Sequence, residues 1–210
     1  MLGGLCVITA EGLVPGRTHQ DVARAAVEGG AAMVQFRDKV GNGRRLYEVA
    51  AAIRRITLGA GVLFIVNDRL DVALAVGADG LHVGNEDIPP QVARRLLPPG
   101  AILGVSAATP EEALEAEGAG ADYVGVGPIF ATATKPDAGE AVGPERIAAV
   151  RAVTKLPILA IGGITAENAA LAMSAGASGV AVIASVAAAP DMLAEVRRLR
   201  AVAQGPGGPP

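Results

Sequence analysis

Cationic and amide side chains come together in one short segment of this 210-residue chain, at residues 35–39. The segment reads Gln-Phe-Arg-Asp-Lys, and in an extended backbone Gln35, Arg37 and Lys39 face the same side. An amide beside two cations suits a ligand that carries both a heteroatom-rich ring and phosphate. The alternative is a solvated strand end in which Arg37 pairs with a nearby acid.

Carboxylates follow the next two apolar runs of the chain. Asn67 and Asp68 come after the first of them, and the segment from His82 to Asp87 covers the end of the second. Two hard oxygen ligands beside a phosphate suit Mg²⁺, which takes one or two protein carboxylates. Each acid alone could simply cap or lead a helix, but beside the cationic segment the pair favours a metal site. For His82 we expect a supporting role at most.

Hydroxyl and ammonium groups follow the fifth and sixth apolar runs. Ser106 comes after the fifth run, and Thr132, Thr134 and Lys135 come after the sixth. These groups suit phosphate oxygens, and the loop that continues to Gly143 is long enough to close over a ligand. An ordinary polar surface loop is the alternative.

Glycines follow the seventh apolar run, as the pair Gly162 and Gly163, and Ser185 follows the eighth. Paired glycines let backbone N–H groups approach an anion, although a tight turn needs them equally. We therefore expect two phosphate sites, one built from charged side chains and one built largely from backbone. The rim offers no nucleophile with an adjacent base, since Cys6 lies inside the first apolar run.

The segments that must position these residues alternate between short apolar runs and longer amphipathic ones. The short runs are rich in Val, Ile and Leu, which is typical of parallel strands buried on both faces. Predicted strands cover residues 5–9, 33–36, 62–66, 80–83, 102–105, 123–126, 158–161 and 179–183. Predicted helices cover residues 18–28, 44–58, 68–76, 89–96, 110–117, 144–154, 165–174 and 191–201.

A recurring phrase ends several of these helices and leads into the next strand. It reads Gly-Gly-Ala-Ala at 29–32, Gly-Ala-Asp-Gly at 77–80, Gly-Ala-Gly-Ala-Asp at 118–122 and Gly-Ala-Ser-Gly at 176–179. A glycine in each copy can take the left-handed conformation that ends a helix. Eight strand–helix units with this phrase predict an α/β fold, a single-domain (β/α)8 TIM barrel over residues 1–203. The alternative is an open doubly wound sheet, but eight near-equal units favour closure.

The position of the polar segments in such a barrel is informative. Barrel enzymes place their chemistry where strands end and the following loops begin, so the polar residues above would form one ring. Residues 204–210 read Gln-Gly-Pro-Gly-Gly-Pro-Pro, which predicts a flexible C-terminal tail.

Composition argues against several classes of function. The net charge is −3 and the chain has no Trp, two Tyr and three Phe, which disfavours nucleic-acid binding. No apolar run reaches the roughly 18–20 residues that a membrane helix needs. The single cysteine, Cys6, fits a reducing cytoplasm, where we expect the protein to act on small molecules. The sequence leaves a homo-oligomer open.

Several motifs together resemble those of the thiamine-phosphate synthase family, in the same order and over nearly the whole chain. They are Gln35-Phe-Arg-Asp-Lys39, Asn67-Asp68, His82-Val-Gly-Asn-Glu-Asp87, Gly104-Val-Ser106, Gly127-Pro-Ile-Phe-Ala-Thr-Ala-Thr-Lys135 and Ile161-Gly-Gly-Ile164. The resemblance implies a (β/α)8 barrel that joins hydroxymethylpyrimidine diphosphate to thiazole phosphate. The products would be thiamine phosphate and diphosphate, formed by a dissociative substitution assisted by Mg²⁺.

The resemblance also implies roles for individual residues. The pyrimidine diphosphate would be held by Gln35, Phe36, Arg37, Asp38, Lys39, Asn67, Ser106 and Lys135. The thiazole phosphate would be held by Thr132, Ala133, Thr134, Gly163, Ile183 and Ala184, and Mg²⁺ by Asp68 and Asp87. The catalytic residues would be Arg37, Lys39, Ser106 and Lys135, of which the three cations would neutralise the departing diphosphate.

The sequence departs from the family pattern at three positions. Asn85 stands where glutamine is more usual, Ala108 where histidine often follows Val-Ser-Ala, and Ala184 where serine is common. None of these changes removes a charge that the reaction needs. Two alternatives stay open. One is an isomerase like the related thiazole tautomerase, which uses a histidine at the position aligned with Ala108. The other is a non-catalytic barrel that binds phosphorylated ligands.

Overall fold

Eight parallel strands close into a barrel in which each strand pairs with the next and the eighth pairs with the first. The computed structural model describes residues 2–132, 134 and 139–203, so the predicted tail at 204–210 lies outside it. The predicted single-domain barrel is confirmed, and the open sheet is wrong. The strands are β1 Gly4–Thr9, β2 Met33–Phe36, β3 Leu63–Asn67, β4 Gly80–Val83, β5 Ile102–Ser106, β6 Tyr123–Val126, β7 Ile158–Ile161 and β8 Gly179–Val182.

Nine helices occur in the described part of the chain, against eight predicted. They are α1 His19–Gly29, α2 Gly43–Leu58, α3 Leu70–Val76, α4 Pro90–Leu96, α5 Pro110–Gly118, α6 Glu145–Val153, α7 Ala169–Ser174, α8 Ala184–Ala187 and α9 Met192–Ala203. The additional helix is α8. Its four residues continue the small, apolar composition of the preceding strand, and no side chain caps it, so the sequence carries no start signal. Across the described ranges, no helix combines the length and apolar character needed to cross a bilayer.

Two helices begin at least two residues later than predicted. α7 does not include residues 165–168, because the Asn168 side chain organises them as a turn. Its Oδ1 accepts from the Thr165 backbone N–H at 2.8 Å, and its Nδ2 donates to the Gly163 carbonyl at 2.8 Å. α3 does not include Asp68, whose φ of 63° lies in the left-handed region and cannot continue a right-handed helix.

The recurring glycine phrase connects the amino-terminal ends of the strands. As predicted, one glycine in each copy has a positive φ, namely Gly30, Gly77, Gly120 and Gly176. In three copies the polar residue of the phrase also accepts a hydrogen bond from the backbone N–H at the start of the preceding strand. These pairs are Asp79 with Phe64 (2.8 Å), Asp122 with Leu103 (2.8 Å) and Ser178 with Ile158 (3.2 Å). In these three copies the phrase therefore ends a helix and also holds the strand that follows it beside the strand that precedes that helix.

Apolar side chains pack in two layers. Those that point outward from the strands lie against the helices and form the larger part of the core. Those that point inward form a small cluster inside the barrel, made of Cys6, Ile8, Met33, Ile65, Tyr123, Leu159 and Ala181. The inner cluster is the floor on which any cavity at the carboxyl ends of the strands must rest.

A glycine on β5 makes room in this floor for an aromatic ring. Gly104 lies between His82 of β4 and Tyr123 of β6 in the strand register. A methyl group on Gly104 would lie 2.1 Å from Cζ of the Tyr123 ring, far inside van der Waals contact. Because Gly104 has no side chain, the Tyr123 ring can cross the inner face of β5 and reach His82.

Replacing Gly104 with alanine is therefore expected to destabilise the fold. We predict that Gly104→Ala lowers the free energy of unfolding by about 1–3 kcal/mol, because the buried ring must move to accommodate the methyl group. Urea unfolding followed by circular dichroism measures this change.

The matched control is Gly118→Ala at the end of α5, where the added methyl group would have no atom within 4 Å. There we expect no loss, and a gain of up to about 1 kcal/mol from the higher helix propensity of alanine. Equal stabilities for the two variants would show that the interior tolerates the methyl group.

Candidate active site

A cavity of about 850 Å³ opens at the carboxyl ends of the strands. Each of the eight strands contributes to its wall, with Ile8, Gln35, Asn67, His82, Ser106, Tyr123, Leu159 and Ala181 in chain order. This is the end of the barrel at which enzymes of this fold hold their reacting groups. The cavity is therefore the candidate active site.

Most of the predicted site residues meet in this cavity. Its lining includes Gln35, Arg37, Lys39, Asn67, Asp68, Asp87, Ser106, Thr132, Thr134, Gly163, Ile183 and Ala184. Phe36 and Asp38 do not belong to the lining. Ala133 and Lys135 lie outside the described residues, so their predicted roles stay predictions.

Strand alternation explains why Phe36 is not in the cavity. Gln35 points into the barrel, and the next side chain along β2 must point to the opposite face. Phe36 is 2% exposed and packs in the outer layer, with its ring edge-on to the His19 ring at a centroid distance of 5.0 Å. The side chain of Phe36 thus supports the strand from behind and is not placed to touch a ligand.

Asp38 holds the turn that follows β2 instead of facing the cavity. Its Oδ1 accepts hydrogen bonds from the backbone N–H groups of Val40 (2.9 Å) and Gly41 (3.0 Å), and its Oδ2 lies 3.6 Å from Nε of Arg45. Burial raises the pKa of this carboxyl, but the two backbone donors, the neighbouring His19 and the Arg45 guanidinium outweigh burial and hold the pKa below its usual value. Asp38 is therefore an ionised anchor between Arg37 and Lys39.

A buried histidine completes the support behind this turn. His19 is 2% exposed, its Nδ1 lies 2.8 Å from the Thr9 hydroxyl, and its Nε2 lies 3.9 Å from Oδ2 of Asp38. Burial lowers the pKa of His19 by more than the Glu11 and Asp38 carboxylates raise it, which favours the neutral ring. The sequence alone placed His19 only at a helix start, and nothing in its spacing indicated this contact.

The backbone of Asp68 takes an uncommon conformation at the end of β3. Among the described residues other than glycine, only Asp68 has a positive φ, and its N–H donates to the His82 carbonyl at 2.8 Å. It does not cap α3, whose N-cap is Arg69. The Asp68 carboxylate lines the cavity and contacts the Lys39 ammonium, so β2 and β3 deliver opposite charges to one place.

Asp87 brings a second carboxyl group to the same place. Its Oδ2 accepts from the Gly84 backbone N–H at 2.7 Å. Burial, followed by a hydrogen bond with Asp68 and the charge of that residue, raises the pKa of Asp87 above its usual value. Two neighbouring carboxyl groups in a partly buried site repel each other when both are ionised, and a cation between them would relieve that repulsion.

The chemistry of this pair fits a hard divalent cation. Within residues 2–132, 134 and 139–203, no three His, Cys, Asp or Glu side chains gather closely enough to form a metal cage. Mg²⁺ does not need one, because it commonly takes one or two carboxylates and completes its shell with water and phosphate oxygens. Asp68 and Asp87 could therefore hold Mg²⁺ together with a phosphorylated ligand.

A chain of four polar side chains crosses the floor of the cavity, and hydrogen bonds join three of them. The Tyr123 phenol oxygen lies 3.0 Å from Nδ1 of His82, and Nε2 of His82 lies 3.1 Å from the Ser106 hydroxyl. Gln35 adjoins the phenol and opposes the rise of its pKa. Tyr123 was not anticipated, since in the sequence it reads as the first core residue of a strand. The facing glycine at position 104 was the one signal that a large inward ring fits there.

Backbone dominates the opposite side of the cavity. Gly162 and Gly163 have φ values of 95° and 64°, and a methyl group on Gly163 would lie 2.5 Å from the Ala131 carbonyl oxygen. The loop after β6 packs directly on this turn, since the Phe130 N–H donates to the Gly162 carbonyl at 2.9 Å. The turn needs its glycines for conformation and close packing, and Gly162, Gly163 and Ala131 line the cavity.

The short helix α8 borders the same side. Ile183, Ala184 and Ser185 line the cavity where β8 passes into α8. The Ser185 hydroxyl donates to Oε1 of Glu195 in α9 at 3.2 Å. The Ser185 hydroxyl is therefore directed to α9. Ile183 and Ala184 offer the cavity their backbone groups and apolar side chains.

Comparison with known proteins gives this geometry a family. The family model described as thiamine monophosphate synthase matches residues 5–186 of the chain. The thiamine-phosphate synthase of Moorella thermoacetica is 54% identical over 198 residues, which cover 94% of each chain. That of Chloroflexus aurantiacus is 52% identical over 198 residues, covering 94% of this chain and 91% of the relative.

A solved structure agrees with these relatives. The thiamine phosphate pyrophosphorylase from Pyrococcus furiosus is 41% identical, and the match covers 95% of this chain and 94% of that one with a TM-score of 0.87. Family model, sequence relatives and fold thus point the same way, and the match includes the strand ends that form the cavity. The chain belongs to the thiamine monophosphate synthase family, a family of transferases in thiamine biosynthesis.

Proposed function

We propose that this protein condenses 4-amino-2-methyl-5-(diphosphooxymethyl)pyrimidine with 4-methyl-5-(2-phosphooxyethyl)thiazole to give thiamine phosphate and diphosphate. The observation that carries the proposal is one cavity with a charged side on β2 to β5 and a backbone-lined side on β6 to β8. Its volume of about 850 Å³ lies in the range of small-molecule sites. The names of the close relatives support the same reaction.

The diphosphate would lie on the charged side of the cavity. Arg37 can offer parallel N–H groups to two phosphate oxygens, while Lys39 supplies a point charge and Ser106 a hydroxyl donor. Lys135 is a further cation from the loop after β6, assigned here from the sequence. Together these groups would stabilise the negative charge that grows on the diphosphate as it leaves.

Asp68 and Asp87 would hold Mg²⁺ beside the diphosphate. Both carboxyl groups line the cavity, and burial together with the nearby Asp68 raises the pKa of Asp87, which supports a cation position between them. When bound, the ion supplies positive charge that neutralises the leaving diphosphate. Lys39, which contacts Asp68, would keep its own charge next to the same oxygens.

The thiazole phosphate would lie on the backbone-lined side. Gly163, Ile183 and Ala184 could donate backbone N–H groups to its oxygens, and Thr132 and Thr134 could add hydroxyl groups. Ala133 would belong to the same segment of the loop. Anchoring the phosphate here would direct the thiazole nitrogen toward the pyrimidine methylene carbon across the cavity.

The bond changes themselves need little from the protein. The C–O bond between the pyrimidine methylene and the diphosphate breaks with its electron pair leaving on oxygen, and the thiazole nitrogen lone pair then forms the new C–N bond. The 4-amino group of the pyrimidine would stabilise the cation in between. Ile8 and Leu159 give the cavity an apolar surface, which would help keep water from capturing that cation.

An isomerase reaction of the tautomerase kind has less support. The position aligned with its histidine is Ala108, which borders the cavity but has no titratable group. Its backbone is held by Arg146, which donates to the Ala108 carbonyl at 2.9 Å. A barrel that only binds phosphorylated ligands is also less favoured, because the described charged members of the ring are all retained.

The proposed setting follows from the small-molecule substrates and from the cysteine content. Cys6 is the single cysteine of the chain and lies in the barrel interior, where burial raises the pKa of its thiol to about 12. A lone, protonated thiol suits the reducing cytoplasm. Nucleic acid is not expected among the partners, and a homo-oligomer stays open.

Activity should require a divalent cation. We predict that incubation of the protein with both substrates and Mg²⁺ yields thiamine phosphate and diphosphate, and that excess chelator reduces the rate by at least about 100-fold, since removing a charge aimed at the leaving group has effects of this size. Chromatography of the products measures both. Restored activity after adding back Mg²⁺ is the control, while full turnover in chelator would contradict the metal role of Asp68 and Asp87.

Lys135 should act on turnover. We predict that Lys135→Ala lowers kcat by about 100-fold, because the positive charge of the lysine next to the leaving diphosphate is lost. The affinity for thiazole phosphate should change little. Steady-state kinetics with each substrate varied in turn separate the two effects. Lys155→Ala is the matched control, since Lys155 is exposed in the α6–β7 loop. A larger loss of thiazole phosphate affinity than of turnover would refute this placement.

Ala184 should contribute only its backbone to phosphate binding. We predict that Ala184→Ser changes the affinity for thiazole phosphate by no more than a few-fold. Gly163→Ala should weaken it by more than about 10-fold, because a methyl group there collides with the Ala131 carbonyl and φ is positive. Calorimetric titration measures both. A change of 10-fold or more with Ala184→Ser would mean that a side chain at this position contacts the phosphate.

A further inference from the structure

The chain of polar side chains across the cavity floor connects two residues that line the proposed pyrimidine diphosphate site. Gln35 on β2 and Ser106 on β5 are its ends, and Tyr123 and His82 are its middle members. The reaction proposed above gives Tyr123 and His82 no role. Their contacts, however, determine which hydrogen each end of the chain has available for a ligand.

Two glycines leave the space that the Tyr123 and His82 rings occupy. Gly104 leaves the space that the Tyr123 ring fills, and a methyl group on Gly125 would lie 3.2 Å from Cε1 of His82. The ring centroids are 5.5 Å apart and the ring planes are tilted by 32°. Tyr123 is 1% exposed, so its hydroxyl cannot turn to solvent and must exchange hydrogen bonds with these neighbours.

We propose that Tyr123 and His82 are positioning residues that make Ser106 a hydrogen-bond donor to the leaving diphosphate, by holding the imidazole with its proton on Nε2. This inference rests on the proposed function, because it takes the anion beside Ser106 to be a diphosphate. It assigns a direction to each hydrogen bond of the chain.

The direction follows from counting protons. The oxygens of an ionised diphosphate only accept hydrogen bonds, so the single Ser106 proton would point to the anion. The bond of 3.1 Å between Ser106 and Nε2 of His82 must then be donated by the imidazole N–H. In a neutral imidazole Nδ1 is left as an acceptor, and the Tyr123 hydroxyl donates to it over 3.0 Å.

The hydrogen bonds at the Tyr123 end of this chain of side chains are compatible with the same direction. Burial raises the pKa of Tyr123 well above its usual value, so the phenol keeps its proton and has it to give. With that proton donated to Nδ1 of His82, the phenol oxygen is left as an acceptor, which the Gln35 amide N–H can serve. The reversed order would send the Ser106 proton to His82 and leave the diphosphate facing an oxygen lone pair, which repels it.

Imidazole ¹⁵N NMR tests the direction, and the composition makes the experiment simple. The chain has two histidines, so the buried His19 is an internal reference for His82. The probe is inorganic diphosphate with Mg²⁺, added to the 210-residue protein. We expect His82 to be a neutral Nε2–H tautomer in the complex, with His19 unchanged. An Nδ1–H tautomer, an imidazolium or no binding of diphosphate would each overturn the proposal.

Tyr123→Phe tests the role of the phenol. It retains the ring but removes the donor to Nδ1, so we expect a mixture of His82 tautomers with diphosphate bound. The kcat for thiamine phosphate formation should fall about 10-fold, with an unchanged KM for thiazole phosphate. Tyr47→Phe is the matched control, because the Tyr47 ring is half exposed and lies on helix α2, whereas Tyr123, His82 and Ser106 lie on strands. A single Nε2–H tautomer in Tyr123→Phe would contradict the proposal.

Two features keep the outcome interpretable. If Tyr123→Phe does not fold, the tautomer in the native protein still decides. If the native protein forms thiamine phosphate but shows the Nδ1–H tautomer, the positioning proposal fails and the proposed function stands. If no thiamine phosphate forms while diphosphate binding selects the Nε2–H tautomer, the proposed function fails and the direction of the chain stands.

Discussion

Closure of the sheet between its first and last strands is the constraint on which the rest of the molecule depends. β1 and β8 pair in parallel with Gly4 opposite Gly179, and a methyl group on Gly179 would lie 2.2 Å from the Gly4 carbonyl oxygen. The amino-terminal end of the seam therefore needs contact of backbone with backbone. Once the barrel is closed, all eight carboxyl ends meet on one rim, so Lys39 and Gly163 share a cavity although they lie far apart along the chain.

A closed barrel must also fill its interior, and this chain does so with few large side chains. Only five of its residues are aromatic, and one of them, Tyr123, enters the inner layer where Gly104 gives it space. Its hydroxyl is then buried among apolar neighbours, which is costly unless it is hydrogen-bonded. His82 of β4 supplies such a bond across the inner face of β5, and Gln35 of β2 adjoins the phenol from across the barrel. The need to satisfy one buried phenol thus fixes the orientation of polar groups at the floor of the cavity.

The sequence predicts most of the barrel because parallel strands buried on both faces have a simple composition. All eight strands lie within one residue of the predicted ranges, and the glycines of the recurring phrase have the expected positive φ. The errors occur where a single side chain overrides the local pattern. Asn168 captures the turn before α7, and the left-handed backbone of Asp68 delays α3. No residue signals α8, since alanines there serve strand and helix equally well.

The candidate site was predictable to a similar depth and for a similar reason. Position at a strand end places Arg37, Asp68 and Ser106 on the rim without any knowledge of packing. A continuous motif does not show which of its side chains face the cavity, however. Phe36 and Asp38 belong to the predicted site motif but face away from the cavity. Contacts across the interior are further from reach. They depend on the register of neighbouring strands, which the sequence does not encode locally.

The shortage of titratable groups on the cavity floor agrees with the proposed chemistry. Attack by a thiazole nitrogen forms a C–N bond without removing any proton, and the leaving diphosphate needs positive charge more than it needs an acid. The thiol of Cys6 stays protonated in the interior, and both nitrogens of His82 are engaged by Tyr123 and Ser106. A floor of Ile8, Leu159 and Ala181 gives a short-lived cation no nucleophile from these side chains. The aliphatic composition that fills the barrel therefore also suits a reaction whose main competitor is capture of the cation.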